Sequence, residues 1–429
     1  MPSTTAAAPT NAPAWRRATE AVPRGVWGVA DQGIVSLANF ATPVLVGRYG
    51  GREELGYYTL GLSVYLFVYA LARSVVWTPY TKHSPELTGA ELAGFTGSCT
   101  AHLGVFSVAS TAVVGLTAAA AGLAGNTAIA WTLLAAVPMM AAMLLREHVR
   151  RLCMAQMDFV GVLAFDSVVS LAQVSLIVSL AVSRRIDAAS AFLAIALTVV
   201  LPAAWIAMNR RDFAFAPSRF RGDWLRNWSV AKWLAAASSM VTLGNQGYRW
   251  VLPALAGMAE LGRLGAAQVM VQLTNPIVIG LSNYLGPMTA RTLADEGSAA
   301  LYEKTKRISV AMAGAILMFL GVVALIGVPL VRLLLDDAAE GVTRLLVVTL
   351  AAGALSEALL MPIQAATVNR GRADLLFRTA ITRLVINLTL GFGLVSAYGA
   401  EAIGVGMVLG SVVALTWQWI AFAVEVDRD

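Results

Sequence analysis

Apolar residues in this 429-residue chain run in long blocks rather than in the short alternations of a strand. Each block holds about 20 residues, enough as a helix to cross about 30 Å of hydrocarbon. Glycine, proline and charge clusters interrupt the blocks. The breaks predict twelve spans: 26–47, 55–79, 95–121, 128–145, 160–182, 190–208, 229–255, 263–287, 307–329, 343–363, 376–397 and 402–423. The fold class expected is therefore all-α, integral to a membrane.

Composition strengthens that reading. The chain is 58% hydrophobic and 13% charged, against about 25% charged in a soluble domain, so a water-facing surface cannot be covered. With the N-terminus in the cytoplasm, the predicted segmentation places roughly three times as many Lys and Arg inside as outside, as the positive-inside rule requires. The clusters "REHVRR", "NRRDF…RFRGDWLRN" and "EKTKR" then lie on the cytoplasmic side, and both termini are cytoplasmic. The net charge of +6 mostly reflects this bias and argues little for nucleic acid. Two cysteines and three scattered histidines form neither a disulfide framework nor a metal site.

The opening of the chain has a second copy. At a shift of 206 residues "VSLANF" meets "VTLGNQ", Asn39 falls on Asn245, Glu54 on Glu260, Leu55 on Leu261 and Gly56 on Gly262. Further on, Pro79 meets Pro287, Thr81 meets Thr289, and Gln173 falls on Asn387 near a shift of 214. An even number of spans per copy makes both enter the membrane the same way. Two six-helix bundles related by a parallel internal repeat follow, with a site expected between them. The expected division is a partly disordered cytoplasmic N-terminus (1–25), a first lobe (26–208), a basic cytoplasmic linker (209–228), a second lobe (229–424) and a short tail (425–429).

Polar residues inside the spans recur at helical spacing. Gln32, Ser36 and Asn39 share one face; Ser238, Thr242, Asn245 and Arg249 repeat it; Gln268, Gln272 and Asn275 form another, and Asp166, Ser170 and Gln173 a fourth. Such stripes cannot face lipid without cost. They either join helices, at about 0.6 kcal/mol per pair, or border a wet passage. Arg73, Arg249 and Arg383 favour the passage, because an arginine within a span costs about 2.5–3.5 kcal/mol and usually marks a pathway or a partner. Guanidinium groups at two depths suit an anionic, phosphate-bearing passenger. Asn39, Asn245, Gln272 and Asn275 would extend that surface. Tyr65 and Tyr69, beside Arg73, are candidates for sugar stacking or for an interfacial belt. Asp31, Asp166 and Glu357 are candidates either to carry a coupling proton or sodium ion or to neutralise a neighbouring arginine. No other cofactor is expected.

The stretch from Gly28 to Thr81 resembles the opening of bacterial polysaccharide-export flippases, of the multidrug/oligosaccharidyl-lipid/polysaccharide exporter superfamily. The resemblance rests on Ser36-x-x-Asn39-Phe40, the Gly47-Arg48-Tyr49-Gly50 exit, Glu54 to Tyr58, and Thr78-Pro79. It implies movement of a lipid-diphosphate-linked oligosaccharide repeat unit across the bacterial inner membrane, by alternating access through a cationic central cavity. Membrane lipids and other polysaccharide-assembly proteins are the implied partners. The second lobe departs from the pattern, with Gln246 at the position of Phe40 and no Gly-Arg-Tyr-Gly. Two alternatives stand beside this reading. An ion-coupled multidrug exporter would favour acidic residues in the cavity to hold cationic drugs, whereas the charged residues placed here are more often arginines. A membrane-embedded polysaccharide polymerase or ligase would need a catalytic outer loop, and the chain has no HExxH, GxSxG or P-loop pattern, so a non-enzyme is expected.

Overall fold

The computed structural model describes residues 24–156, 158–208 and 214–426. Expectations for residues 1–23 and 427–429 lie outside the described residues. Among those described the chain is helical and forms no strand. The helices are α1 (Arg24–Leu45, prolonged by a π-helical turn, Val46–Gly50), α2 (Arg52–Ala72, running through a π-helical turn, Arg73–Trp77, into Thr78–His83), α3 (Gly89–Leu123), α4 (Thr127–Ala155), α5 (Phe159–Val182) and α6 (Ala188–Leu197, continued by Val200–Met208). The second half comprises α7 (Pro217–Ala256), α8 (Met258–Gln272), α9 (Asn275–Leu335), α10 (Arg344–Asn369), α11 (Ala373–Ile386, a π-helical turn Asn387–Gly391, then Phe392–Tyr398) and α12 (Glu401–Val426).

Ten of the described helices are long and apolar enough to cross a membrane. Neither α7 nor α8 is among them: α8 has 15 residues, and α7 carries the polar stripe. The expected eighth span, 263–287, is divided between α8 and the start of α9, and α9 bends at Gly297, whose φ of 82° only glycine adopts easily. Helices α3 and α9 expose Val105, Val108, Leu116, Leu317 and Leu325. Such apolar flanks face lipid, whereas α2 and α10 bury most of their surface. This is a multi-pass membrane protein.

The repeat is visible in the packing. Helix α2 crosses α8 so closely that a Cβ on Gly56 would strike the carbonyl oxygen of Met258, and one on Gly262 the carbonyl oxygen of Arg52. Arg52 and Met258, like Gly56 and Gly262, are separated by the same shift of 206. The contact is thus made by equivalent residues meeting across a pseudo-twofold axis, and small residues let the backbones approach. The Glu54–Glu260 pair also has a shared task. Glu54 accepts from the Ala188 N–H that opens α6 (2.8 Å), while Arg263 bridges Glu260 to Glu401 at the start of α12 (2.9 Å to Glu401).

At this same end of the bundle, the one expected to face outside, arginines of the first lobe hold the second. Arg48 Nη1 donates to the carbonyls of Leu333 (2.9 Å) and Leu334 (3.4 Å), and Arg52 Nη1 to that of Glu340 (3.0 Å). The acceptors at Leu333 and Leu334 are last-turn carbonyls of α9, the electron-rich end of the helix. Gly47 lies against Leu335 and Ala338, with no room for a side chain.

Residues 209–213 of the expected linker, 209–228, lie outside the described residues. From Pro217 onward the linker is the first part of α7, and it lies on the first lobe. The Ala214 N–H donates to Ala93 O (3.0 Å), His102 Nε2 pairs with Phe220 O (2.9 Å), and Arg226 reaches Glu86 (3.2 Å).

Replacing Gly56 by Val should prise the crossing apart. Overpacking of this kind costs about 1–3 kcal/mol, read as a lowered thermal unfolding midpoint of the purified protein in detergent. Gly33→Ala, at a position with nothing within 4 Å, should leave the midpoint unchanged.

Candidate functional site

Two polar junctions lie inside the bundle, one per lobe, and they use equivalent helices. In the first, α4 does not end at 145 as expected but continues to Ala155. The "REHVRR" cluster, expected in a cytoplasmic loop, is therefore helical, and Arg146, Glu147, His148 and Arg150 are buried. Arg146 uses all its nitrogens: Nε donates to Asp166 Oδ1 (2.9 Å), Nη2 to Ser170 Oγ (2.9 Å) and Nη1 to Gln173 Oε1 (3.4 Å). Arg150 binds Asp31 (2.8 Å) and Glu147 (2.8 Å), and its Nε pairs with Asp166. Arg151 reaches Glu147 (2.7 Å), whose Oε1 also accepts from Tyr69 (3.2 Å). Gln173 closes the network on Thr42 of α1 (3.1 Å).

Burying these ions is tolerable only because arginines Arg146, Arg150 and Arg151 meet carboxylates Asp31, Glu147 and Asp166. Asp31 and Asp166, candidates for ion coupling, thus neutralise arginines here. Sequence reasoning missed those arginines. The available signal was that two in-span carboxylates need cationic partners, and that Arg146 and Arg150 are one helical turn apart on the helix just before the loop.

The second junction joins α7, α10 and α11. Arg383 Nη2 donates to Glu357, and Asn245 Nδ2 donates to the other oxygen of Glu357 (3.1 Å). Asn387, at the start of a π-helical turn, donates to Gly244 O (3.5 Å). Arg249 Nη1 donates to Gln246 Oε1, and its guanidinium lies 5.6 Å from the Tyr248 ring centroid. The structure therefore brings Arg383, Glu357 and Asn245 together, with Arg249 one turn further along the same face of α7.

The other sequence candidates are dispersed. Arg73 opens the π-helical turn of α2, is exposed, and has no carboxylate within ion-pair distance among the described residues. Asn39 is exposed on α1, and Gln272 is half-buried at the end of α8. The side chain of Asn275 lies outside the described residues. Tyr65 packs inside the first lobe against Tyr69 (ring centroids 5.9 Å apart) rather than on an open surface. Tyr69 is committed to Glu147 and Arg151. Polar stripes of the other kind serve as joints: Gln268 donates to Tyr248 (3.1 Å), and Trp250 donates across the lobes to Ser63 (2.9 Å).

Among the described residues this two-lobed arrangement of twelve helices is similar in fold to solved transporters, some of them described as of the MOP superfamily. A multidrug resistance MATE family transporter in its inward-facing conformation is similar at TM-score 0.77 and 14% identity, over 92% of this chain and 95% of its own. Lipid II flippase MurJ, inward closed, is similar at TM-score 0.70 and 12% identity, over 92% and 87%. A MATE family transporter in the outward-facing conformation gives TM-score 0.64 at 14% identity, over 94% of each chain. No family model matches the sequence, and no curated protein matches it.

Asp166→Ala should leave Arg146 and Arg150 buried without their shared carboxylate. Breaking a buried pair in this way costs about 3–5 kcal/mol, which should appear as loss of folded protein by size-exclusion chromatography. Arg146→Met combined with Asp166→Leu should recover much of that loss.

Proposed function

We propose that the chain is a flippase that moves a lipid-diphosphate-linked oligosaccharide repeat unit across the bacterial inner membrane for cell-surface polysaccharide biosynthesis. The single observation that carries this reading is the sign of the uncompensated charge. Asp31, Glu147, Asp166 and Glu357 each meet an arginine, whereas among the described residues Arg249 meets a neutral amide and an aromatic ring, and neither it nor Arg73 has a carboxylate partner. A passage lined by surplus guanidinium attracts an anion and repels the cationic drugs of a multidrug exporter.

The exposed Asn39 supports a wet interior. Leu37 is exposed too, nearly opposite on α1, so a helix with lipid on the leucine side has its asparagine turned toward a cleft. The arginine–carbonyl bonds at the external end favour a state closed outside and open to the cytoplasm, the side on which such a substrate is made. Export by alternating access, with both termini cytoplasmic, then requires those bonds to part.

The test is transport in proteoliposomes and in a deletion strain. Arg249→Gln and Arg73→Gln should each lower flipping of a lipid-diphosphate-linked sugar about tenfold or more while leaving the unfolding midpoint in place. The deletion strain should accumulate the lipid-linked unit in the cytoplasmic leaflet. Efflux of a cationic dye, with no effect of either arginine substitution, would overturn the reading in favour of a multidrug exporter.

A further inference from the structure

The duplicated junctions differ in how completely they are satisfied, and that difference locates a binding site. In the first lobe each nitrogen of Arg146 has a partner, and Gln173 is bonded on both its oxygen and its nitrogen; Arg150 Nε and Asp166 Oδ2 meet each other as an ion pair, and Asp31 Oδ1 and His148 Nδ1 lack hydrogen-bond partners among the described residues. In the second lobe Asn387, the repeat equivalent of Gln173, has a buried Oδ1 with no hydrogen-bond partner among the described residues. The same holds for Asn245 Oδ1, Arg383 Nε and Arg249 Nε. Buried polar atoms are seldom left unpaired, and a group of them on one junction calls for a specific cause.

We propose that the second lobe alone holds the diphosphate of the passenger, between Arg383 and Arg249, and that Glu357 is the resident counter-ion which the diphosphate displaces. This rests on the flippase reading above. A guanidinium offers Nε and Nη2 as a parallel edge that a phosphate takes with two oxygens. Glu357 takes only Nη2 of Arg383 and leaves Nε unused, so it is a poorer partner for that edge than a phosphate. Its side chain is 27% exposed, whereas that of Arg383 is 9% exposed. The carboxylate is thus the part of the pair that an incoming anion meets first.

Arg249, one turn from Asn245 and held by neutral groups, the Gln246 amide and the Tyr248 ring, is placed for the second phosphate group. The π-helical turn from Asn387 adds to the case, since such turns are frequent at functional sites. Asn245 and Asn387 provide amides that can donate to phosphate oxygens once Glu357 has swung away. The first-lobe junction, with α1, α4 and α5 cross-linked by charge, is by contrast a strut.

Binding to the full-length protein in detergent tests this, with inorganic pyrophosphate and farnesyl diphosphate as probes. Removing the competing charge with Glu357→Gln should tighten binding of both probes about tenfold. Arg383→Gln should weaken it tenfold or more, and Arg383→Lys should restore part of the loss. A greater gain for farnesyl diphosphate than for pyrophosphate would mark a lipid-borne diphosphate as the ligand, and equal gains a free one; the site stands in either case. If Glu357→Gln leaves binding unchanged in a protein with a native unfolding midpoint, the displacement proposal falls. If Arg73→Gln abolishes binding while Arg383→Gln spares it, the site assignment falls and the flippase reading stands. If neither probe binds wild type or any variant, both fall.

Discussion

Charge removed from water governs this molecule. A guanidinium inside a bilayer protein must have a carboxylate, a set of acceptors or an aqueous chamber, because hydrocarbon offers none of these. The junction of α1, α4 and α5 in the first lobe adopts the first solution. Its charge network ties α1, α4 and α5 to one another through Arg146 and Arg150, so these helices move as one body if they move at all. Rigid lobes are what rocking motions need, since a lobe that deformed would dissipate the movement instead of transmitting it.

Gene duplication left two copies of one three-helix junction, and the copies have diverged in opposite senses. One sets three arginines against three carboxylates. The other kept a single ion pair, Arg383–Glu357, with amides around it only partly engaged. Symmetry of the backbone, visible where Gly56 meets Gly262, therefore coexists with asymmetry of chemistry.

Helix content, the number of rods and the duplication were legible from the sequence because each rests on long periodic patterns. The Asn39–Asn245 register in particular reappears as a physical axis. Boundaries were less legible. Span four was cut at 145 because "REHVRR" reads as a hydrophilic loop, yet intramolecular pairing lets the same residues continue an α-helix inside the fold. Pairing between distant segments is a tertiary property, so Asp31 and Asp166 signalled a need for partners without naming them. Arg383 and Glu357 were each picked out by position alone, and their mutual bond came only with the structure. Tyr65 and Tyr69 were chosen for residue type, and the packing of α2 against α4 set their actual roles.

The arginines at the external end read main chain. Leu333, Leu334 and Glu340 contribute carbonyl oxygens, which every amino acid possesses. A side-chain substitution at Leu333, Leu334 or Glu340 therefore keeps the acceptor, whereas one at Arg48 or Arg52 removes the donor.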